Sequence, residues 1–546
     1  MSRKSPNQKS ANRNMPNTST RATHKNATPE TTSETKSNAN ASNANAGREK
    51  GAPSAHVDSA KGRASSSARS QAASSPRMST HVAADSTFPV TPHWVLPLII
   101  GVYVALTLLL IARVPLGKAP DEIPHMLYVE TLAQRGQLPV FDAAGGTTNP
   151  GYEFHQPPLY YALCAPLWRV AGAGVQNYAC RLVSLVCGAA TLWFLWNAVA
   201  TLFPQRRELP MLATAFAALL PMHQAAGASA NNDALAGLLC AAVFNRVAYM
   251  STHAAGRRDA VVMGVLIGLG LLTKTTFLAM GVVALCALWM PAANRDRAEN
   301  ESTQGETTLE TLSAKPSRLS AALPDSVVMI GVALLLSGWW LARNGRLYGD
   351  IFALGTFNRA FGNEGSGALA QGFFAGMVPP LAYARAMILT LFCTFWGVFG
   401  GPNTALEKLN PFGNSGPRAD ALAAVPAMMV CALASALVLC GLWRCGAKWR
   451  AQSAIDSQER ARRFALCCWM LGFALVFAAW LQFNTHYFQA QARYFHPALL
   501  PIALGFALGW RAMLSSRRAL IAASALFALT LLGLSLWNAF GWRTLV

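Results

Sequence analysis

Within one polar loop, Asp121, Glu122 and His125 are followed by Glu153 and His155. The loop comes straight after the first strongly apolar stretch of the chain, at a membrane edge, where ionisable groups are costly and read as functional. Carboxylates beside an imidazole can hold a divalent cation, and a carboxylate left unligated can take a proton. Farther along, Asn231-Asn232-Asp233, Thr273-Lys274-Thr275-Thr276, Arg343 with Arg346, and Arg493 break or flank apolar runs. Lys and Arg at a lipid boundary can neutralise a phosphate presented from the bilayer, the Arg fork matching its oxygens. A base for an acceptor proton, with cations for a departing phosphate, equips a site to move a group from a phosphate-linked lipid to a hydroxyl or amine.

Each residue also has a plainer use. Asp121-Glu122 between prolines can be a solvated turn or a helix cap, and Asp233 after two asparagines is a good cap for the helix behind it. His125, one turn past the acids, can simply orient their helix. His155 can be an interfacial residue, Lys274 can snorkel to the interface, and Arg343 can merely flank an apolar segment.

The elements that must position these residues are membrane helices. Of 546 residues 53% are hydrophobic and only 13% charged, where a soluble domain has about 25%. Repeated apolar runs of about 17–25 residues make this an all-α polytopic membrane protein. Spans are expected near 93–114, 178–203, 209–228, 233–250, 259–273, 276–291, 325–342, 421–443, 464–481, 495–511 and 518–538, about eleven in all. Segments 157–173 and 379–401 carry Arg169 and Arg385 and are expected to lie at the outer interface as helices that do not cross. The polar arm 1–92 should be disordered, lacking apolar surface to bury. Residues 93–546 form the membrane domain, with external loop 115–177 and charged linker 292–323. Arg206-Arg207, Arg257-Arg258 and the linker fall on the side of the basic arm, so the positive-inside rule places the N-terminus in the cytoplasm. Asp121, Glu153, Asp233, Lys274, Arg343 and Arg493 then share the outer face. The formal charge of +20 is explained by orientation, since no basic face interleaved with aromatics suggests nucleic acid. The eleven Cys lie mostly in apolar runs and form no Cys-x-x-Cys pair, so they read as small buried hydrophobes.

Pro120-Asp121-Glu122-x-x-His125 with Tyr128, then Tyr152-Glu153-x-His155-Gln156-Pro157-Pro158, resembles the first external loop of the GT-C membrane glycosyltransferases. The branch is the one that includes protein O-mannosyltransferases and the aminoarabinose transferase of lipid A. Asn232-Asp233, Leu272-Thr273-Lys274-Thr275, Arg343-Asn344-x-x-Leu347-Tyr348-Gly349-Asp350 and Gln491-Ala492-Arg493-Tyr494-Phe495-x-Pro497 extend the resemblance over roughly 93–511. Its first acidic pair is Asp-Glu where the family has Asp-Asp, and no large soluble C-terminal domain is expected. The resemblance implies a polyprenyl-phosphate-linked sugar as donor, a cell-envelope glycan, lipid or protein as acceptor, and often a divalent metal. It implies Asp121 as catalytic base, Glu153 as a second loop carboxylate meeting metal or acceptor, Asp233 as a further acidic contact, and Lys274 and Arg493 on donor phosphate. By their own chemistry Glu122 is expected as a second catalytic carboxylate that with Glu153 could hold a cation, and His155 and Arg343 as further substrate contacts. The rival reading is a transporter or flippase of an anionic lipid-linked sugar, although its inverted repeats and mid-membrane sites are not what a one-sided cluster suggests.

Overall fold

The computed structural model describes residues 92–142, 149–253, 255–290, 318–362, 365–398, 421–452 and 455–540. The arm 1–92 lies outside these, apart from its last residue, as does the linker up to residue 317. Among the described residues there is no strand. In chain order the helices are α1 (Val95–Arg113), α2 (Glu122–Arg135), α3 (Leu159–Val170), α4 (Gln176–Leu202), α5 (Glu208–Leu219), α6 (Pro221–Gly227), α7 (Asp233–Met250), α8 (Arg257–Leu271), α9 (Leu278–Leu288), α10 (Arg318–Tyr348), α11 (Leu354–Phe361), α12 (Gly365–Phe374), α13 (Pro380–Phe395), α14 (Ala421–Ala451), α15 (Ser457–Asn484), α16 (Leu499–Met513) and α17 (Arg517–Phe540).

Among the described residues, seven helices can cross a membrane by length and composition: α1, α4, α7, α10, α14, α15 and α17. α1 shows why: 19 residues, nearly all apolar, at about 1.5 Å per residue span close to the hydrocarbon thickness. The α5–α6 pair passes as one further span bent by 62°, where Pro221 opens α6 and leaves Leu220 in an extended conformation. The expected count of eleven is not confirmed by this measure. α8 and α16 have 15 residues each and α9 has 11, too short alone for a hydrocarbon core. Polar residues interrupt the chain beside them, at 272–277 before α9 and at 485–498 before α16. Non-helical backbone at membrane depth is tolerated where it is buried in protein or lines a cavity. These breaks carry Lys274 and Arg493. The segments 157–173 and 379–401 hold helices of 12 and 16 residues, α3 and α13.

Because lipid tails are as apolar as leucine, close packing rather than water exclusion holds such helices together, and small residues allow it. α14 and α16 meet through Gly441 and Gly509, where a Cβ on Gly509 would fall inside the Val438 carbonyl. Gly264 and Gly268 of α8 likewise lie against the backbone of α10 at Met329 and Ala333. Gly509→Val should therefore lower the thermal midpoint of detergent-solubilised protein, the overpacking costing roughly 1–3 kcal/mol. Gly446→Ala on the same α14, with open space at its Cβ, should leave it unchanged in the same fluorescence-detected melt.

Candidate active site

The site begins with a salt bridge that sequence reading did not anticipate. Arg181 on α4 is fully buried, and its guanidinium grips Glu122 with two bonds of 2.7 Å. The remaining donors of Arg181 bond the carbonyls of Ile111, Val114 and Pro115 at the end of α1, at 3.2, 2.7 and 3.1 Å. The Glu122 carboxylate also accepts from the Gly117 amide at 2.8 Å and the Ala230 amide at 3.0 Å. All five guanidinium N–H groups and all the strong acceptor directions of the carboxylate are thus used. Glu122 has none left for a cation or a reacting proton. A lone arginine inside the apolar run 178–203 was the available signal.

The clamp fixes its neighbour. Asp121 precedes α2 with φ 56°, a left-handed conformation that Asp tolerates better than most residues. Its carboxylate pairs with Arg493 at 2.6 Å, across 372 residues of sequence. The Asp121 side chain is 40% exposed and Arg493 16%, so the acid is the accessible member. Partial desolvation acts to raise the Asp121 carboxyl, but the Arg493 charge and hydrogen bond outweigh it and leave it below the usual carboxylate range.

A second pair lies alongside. The Lys274 ammonium bonds the Asp233 carboxylate. The Asp233 amide donates to Asn231 Oδ1 at 2.9 Å. Asn232 stands at the N-cap of α7 with no side-chain cap bond, and the carboxylate of Asp233, the first helical residue, turns to Lys274. Tyr494 links the two pairs, with Lys274 Nζ 5.8 Å and the Arg493 guanidinium 5.1 Å from its ring centre. The loop carrying Glu153 is tied in through Asn232, which donates to Gln156 Oε1 at 2.8 Å and to the Thr273 carbonyl at 2.9 Å.

Glu153 sits on a short 3-10 turn, Pro150–Glu153, and is buried. Burial, with the Asp121 charge adding to it, pushes its carboxyl up to about 8, so it is protonated at neutral pH. His155 lies 3.8 Å from it, rests on the Phe357 ring at 4.5 Å, and is held neutral by burial, which lowers it to about 3. His125 bonds the Tyr161 hydroxyl at 2.7 Å and acts as support for α2. Arg343 lies apart from this group: it donates to the Pro139 carbonyl at 2.8 Å and stacks over Trp340, tethering the first loop.

The expected metal pair does not form. Among the described residues no three His, Cys, Asp or Glu side chains converge as a metal site. Asp121, Glu122 and Asp233 each face a protein cation, and Glu122 has no acceptor direction left for another. This donor set does not suit a divalent metal.

A cavity of about 110 Å³ adjoins the pairs. Leu110 of α1, Val114 just past its end, and Pro221 and Met222 of α6 give it an apolar wall, while Lys118, Asp233 and Arg493 stand on its polar side. An amphiphile with an anionic head suits such a lining.

Residues 155–304 match the family model described as dolichyl-phosphate-mannose-protein mannosyltransferase. That match agrees with the resemblance to GT-C membrane glycosyltransferases carried by the motifs. No curated protein matches the chain. Among solved structures, the Archaeoglobus fulgidus oligosaccharyltransferase with zinc and sulfate is similar at TM-score 0.40 and 14% identity, over 82% of this chain and 52% of that one. The chain thus spans about half the length of that relative. The same enzyme with an inhibitory peptide and a dolichol-phosphate gives TM-score 0.40 at 13% identity, over 82% of this chain and 55% of that one. ArnT from Cupriavidus metallidurans, bound to undecaprenyl phosphate, gives TM-score 0.32 at 16% identity over 79% of this chain and 77% of that one.

Two outcomes follow from the geometry. Arg181→Ala strands the Glu122 charge in a buried position and should destabilise the protein by about 3–5 kcal/mol, read as a lowered melting midpoint in detergent. For Glu153 the sign is set by its raised carboxyl: the unfolded chain loses this proton near 4.3, the folded one near 8. The folded state binds more protons between those values, so wild-type stability falls as pH rises through that window. Glu153→Gln should therefore match wild type near pH 4 and melt progressively higher than wild type up to pH 8. A difference that does not change with pH would show Glu153 to be ionised in the fold.

Proposed function

We propose that this chain is an integral-membrane glycosyltransferase that moves a sugar from a polyprenyl-phosphate carrier to a cell-envelope glycan, lipid or protein. The observation that carries the reading is the Asp121–Arg493 pair at the rim of an apolar-walled cavity, with Lys274–Asp233 beside it. The carrier chain lies along the apolar side, and its phosphate meets Arg493, with Lys274 next to it.

In the resting site Arg493 holds Asp121 as a carboxylate of low basicity. A phosphate that takes over the Arg493 fork weakens that hold and makes Asp121 a better proton acceptor. The acceptor oxygen or nitrogen then attacks the sugar's anomeric carbon while Asp121 removes its proton. The bond from that carbon to the phosphate oxygen breaks, and its electron pair leaves with the carrier phosphate. Arg493 and Lys274 stabilise that leaving charge. Protonated Glu153 is available as a hydrogen-bond donor to bound substrate, and Glu122 acts through position alone. Reaction at the outer face of a cytoplasmic membrane rests on the distribution of basic loops.

Asp121→Asn keeps the size of the side chain and removes the base. Transfer from a radiolabelled polyprenyl-phosphate sugar in an envelope extract should fall by about 10²–10⁴-fold, with expression and melting midpoint kept. Retained transfer takes the base role from Asp121. Purified protein that carries a labelled lipid-linked sugar across vesicles and makes no product would replace the enzyme reading with the transporter.

A further inference from the structure

At the end of α16 away from Arg493, about 20 Å along that helix, most basic residues are already paired. Glu208 meets Arg206 at 2.9 Å and Arg511 at 3.5 Å, and Glu459 meets Arg462 and, at 2.9 Å, Arg463. Arg444 and Lys448 on the last turns of α14 differ: both are exposed, and among the described residues neither meets an acid. They stand at i and i+4, on one face of the helix. A cavity of about 370 Å³ opens beside them, lined by Trp443, Arg444 and Lys448 of α14 and by Ala512 of α16. The packing explains its place. α14 and α16 touch backbone to backbone at Gly441 and Gly509, and helices that cross so closely separate beyond the crossing. The cavity begins in the next turn.

We propose that this cavity binds the headgroup of an anionic phospholipid, its phosphate between Arg444 and Lys448 and its acyl chains along the exposed apolar side of α14. Charge selects the ligand: the neighbouring arginines are neutralised by Glu208 and Glu459, whereas this pair still lacks an anion. A cation at a helix C-terminus is favoured by the dipole alone, but the dipole does not place two of them around a cavity. Depth agrees. α14 has 31 residues, about 46 Å, against a hydrocarbon core of about 30 Å, long enough for its last turns to stand among headgroups. Trp443, 71% exposed, adjoins Arg444, and such rings collect at the membrane–water boundary. One turn deeper, Leu439 is 66% exposed and continues the apolar surface that acyl chains would cover and a soluble anion would leave bare. The volume falls within the roughly 300–1,000 Å³ of small-molecule sites. This site is separate from the Asp121–Arg493 pair and does not depend on the glycosyltransferase reading.

The test uses the full chain, delipidated in detergent, and native mass spectrometry with three probes: phosphatidylglycerol, phosphatidylcholine with the same acyl chains, and glycerol 1-phosphate. Wild type should bind phosphatidylglycerol about tenfold or more tightly than phosphatidylcholine, and excess glycerol 1-phosphate should not displace it. Arg444→Gln and Lys448→Gln should each remove about fivefold of that preference, the worth of one basic residue beside anionic lipid, with phosphatidylcholine affinity and melting midpoint kept. Ala512→Trp fills the cavity without changing charge and should bring phosphatidylglycerol close to phosphatidylcholine. Arg450→Gln removes a charge from the same helix end but outside the cavity, and should keep the preference. Equal binding of the two lipids by wild type would overturn the site. A loss in Arg450→Gln as large as in Arg444→Gln, or an undiminished preference in Ala512→Trp, would show diffuse attraction by surface charge and overturn it too. Displacement by glycerol 1-phosphate would replace the lipid with a soluble phosphate.

Discussion

A guanidinium sealed among membrane helices has to find a partner for every proton it carries, because nothing else there will take them. Arg181 finds three carbonyls at the frayed end of α1 and both oxygens of Glu122. Glu122 then reaches Ala230, just ahead of α7. One ion pair thus joins the exit of the first span, the start of α2, the body of α4 and the approach to α7. Neither charge could be kept alone, since breaking a buried pair costs far more than the pair is worth against an apolar substitute. The unusual backbone at Asp121 follows from this. With Glu122 pinned and Gly117 bonded to the same carboxylate, the chain between them turns sharply, and Asp121 is presented outward toward Arg493.

The broken helices have the same logic on a larger scale. Regular helix consumes its own backbone groups and offers a site only side chains, whereas a break offers loose ends. Here the breaks lie before α7, before α9 and before α16. They supply Asn231 to Asp233, Lys274 and Arg493 respectively, and Asn232 stitches the first break to the second and to the loop after Glu153. What looks like poor span-forming sequence is the part of the membrane domain that builds polar contacts. That is why, among the described residues, seven helices are long and apolar enough to span, or eight with the bent pair, where apolar runs of sequence suggested about eleven.

The all-helical membrane fold was legible because apolar length and flanking charge are local properties of sequence. So was the set of polar positions, since Asp121, Glu153, Asp233, Lys274 and Arg493 each interrupt or border an apolar run. Which partner each residue takes was not legible. Asp121 and Arg493 are 372 positions apart, and only the tertiary fold, which brings the residue ahead of α2 to the turn before α16, pairs them. Glu122 and Asp121 are adjacent and chemically alike, yet one is wholly consumed by Arg181 and the other faces outward. Arg343 and Arg493 both border apolar segments, yet one ties down Pro139 and the other meets an acid.

Charge pairing gives the site its reserve. A free cation pair at a membrane edge would be costly to hold and open to any anionic lipid. With Arg493 on Asp121 and Lys274 on Asp233, each cation is released only to a ligand that competes with a carboxylate, which a phosphate with several strong acceptor oxygens can do. On the proposed reading the exchange also sets an order of events. Until phosphate arrives, Asp121 is both occupied and weakly basic; afterwards it is free to receive a proton, at the moment the leaving group has acquired its counter-charge. Neutral Glu153 fits the same scheme. A third unpaired carboxylate so close to Asp121 would repel the incoming phosphate, and protonation removes that repulsion without spending another cation.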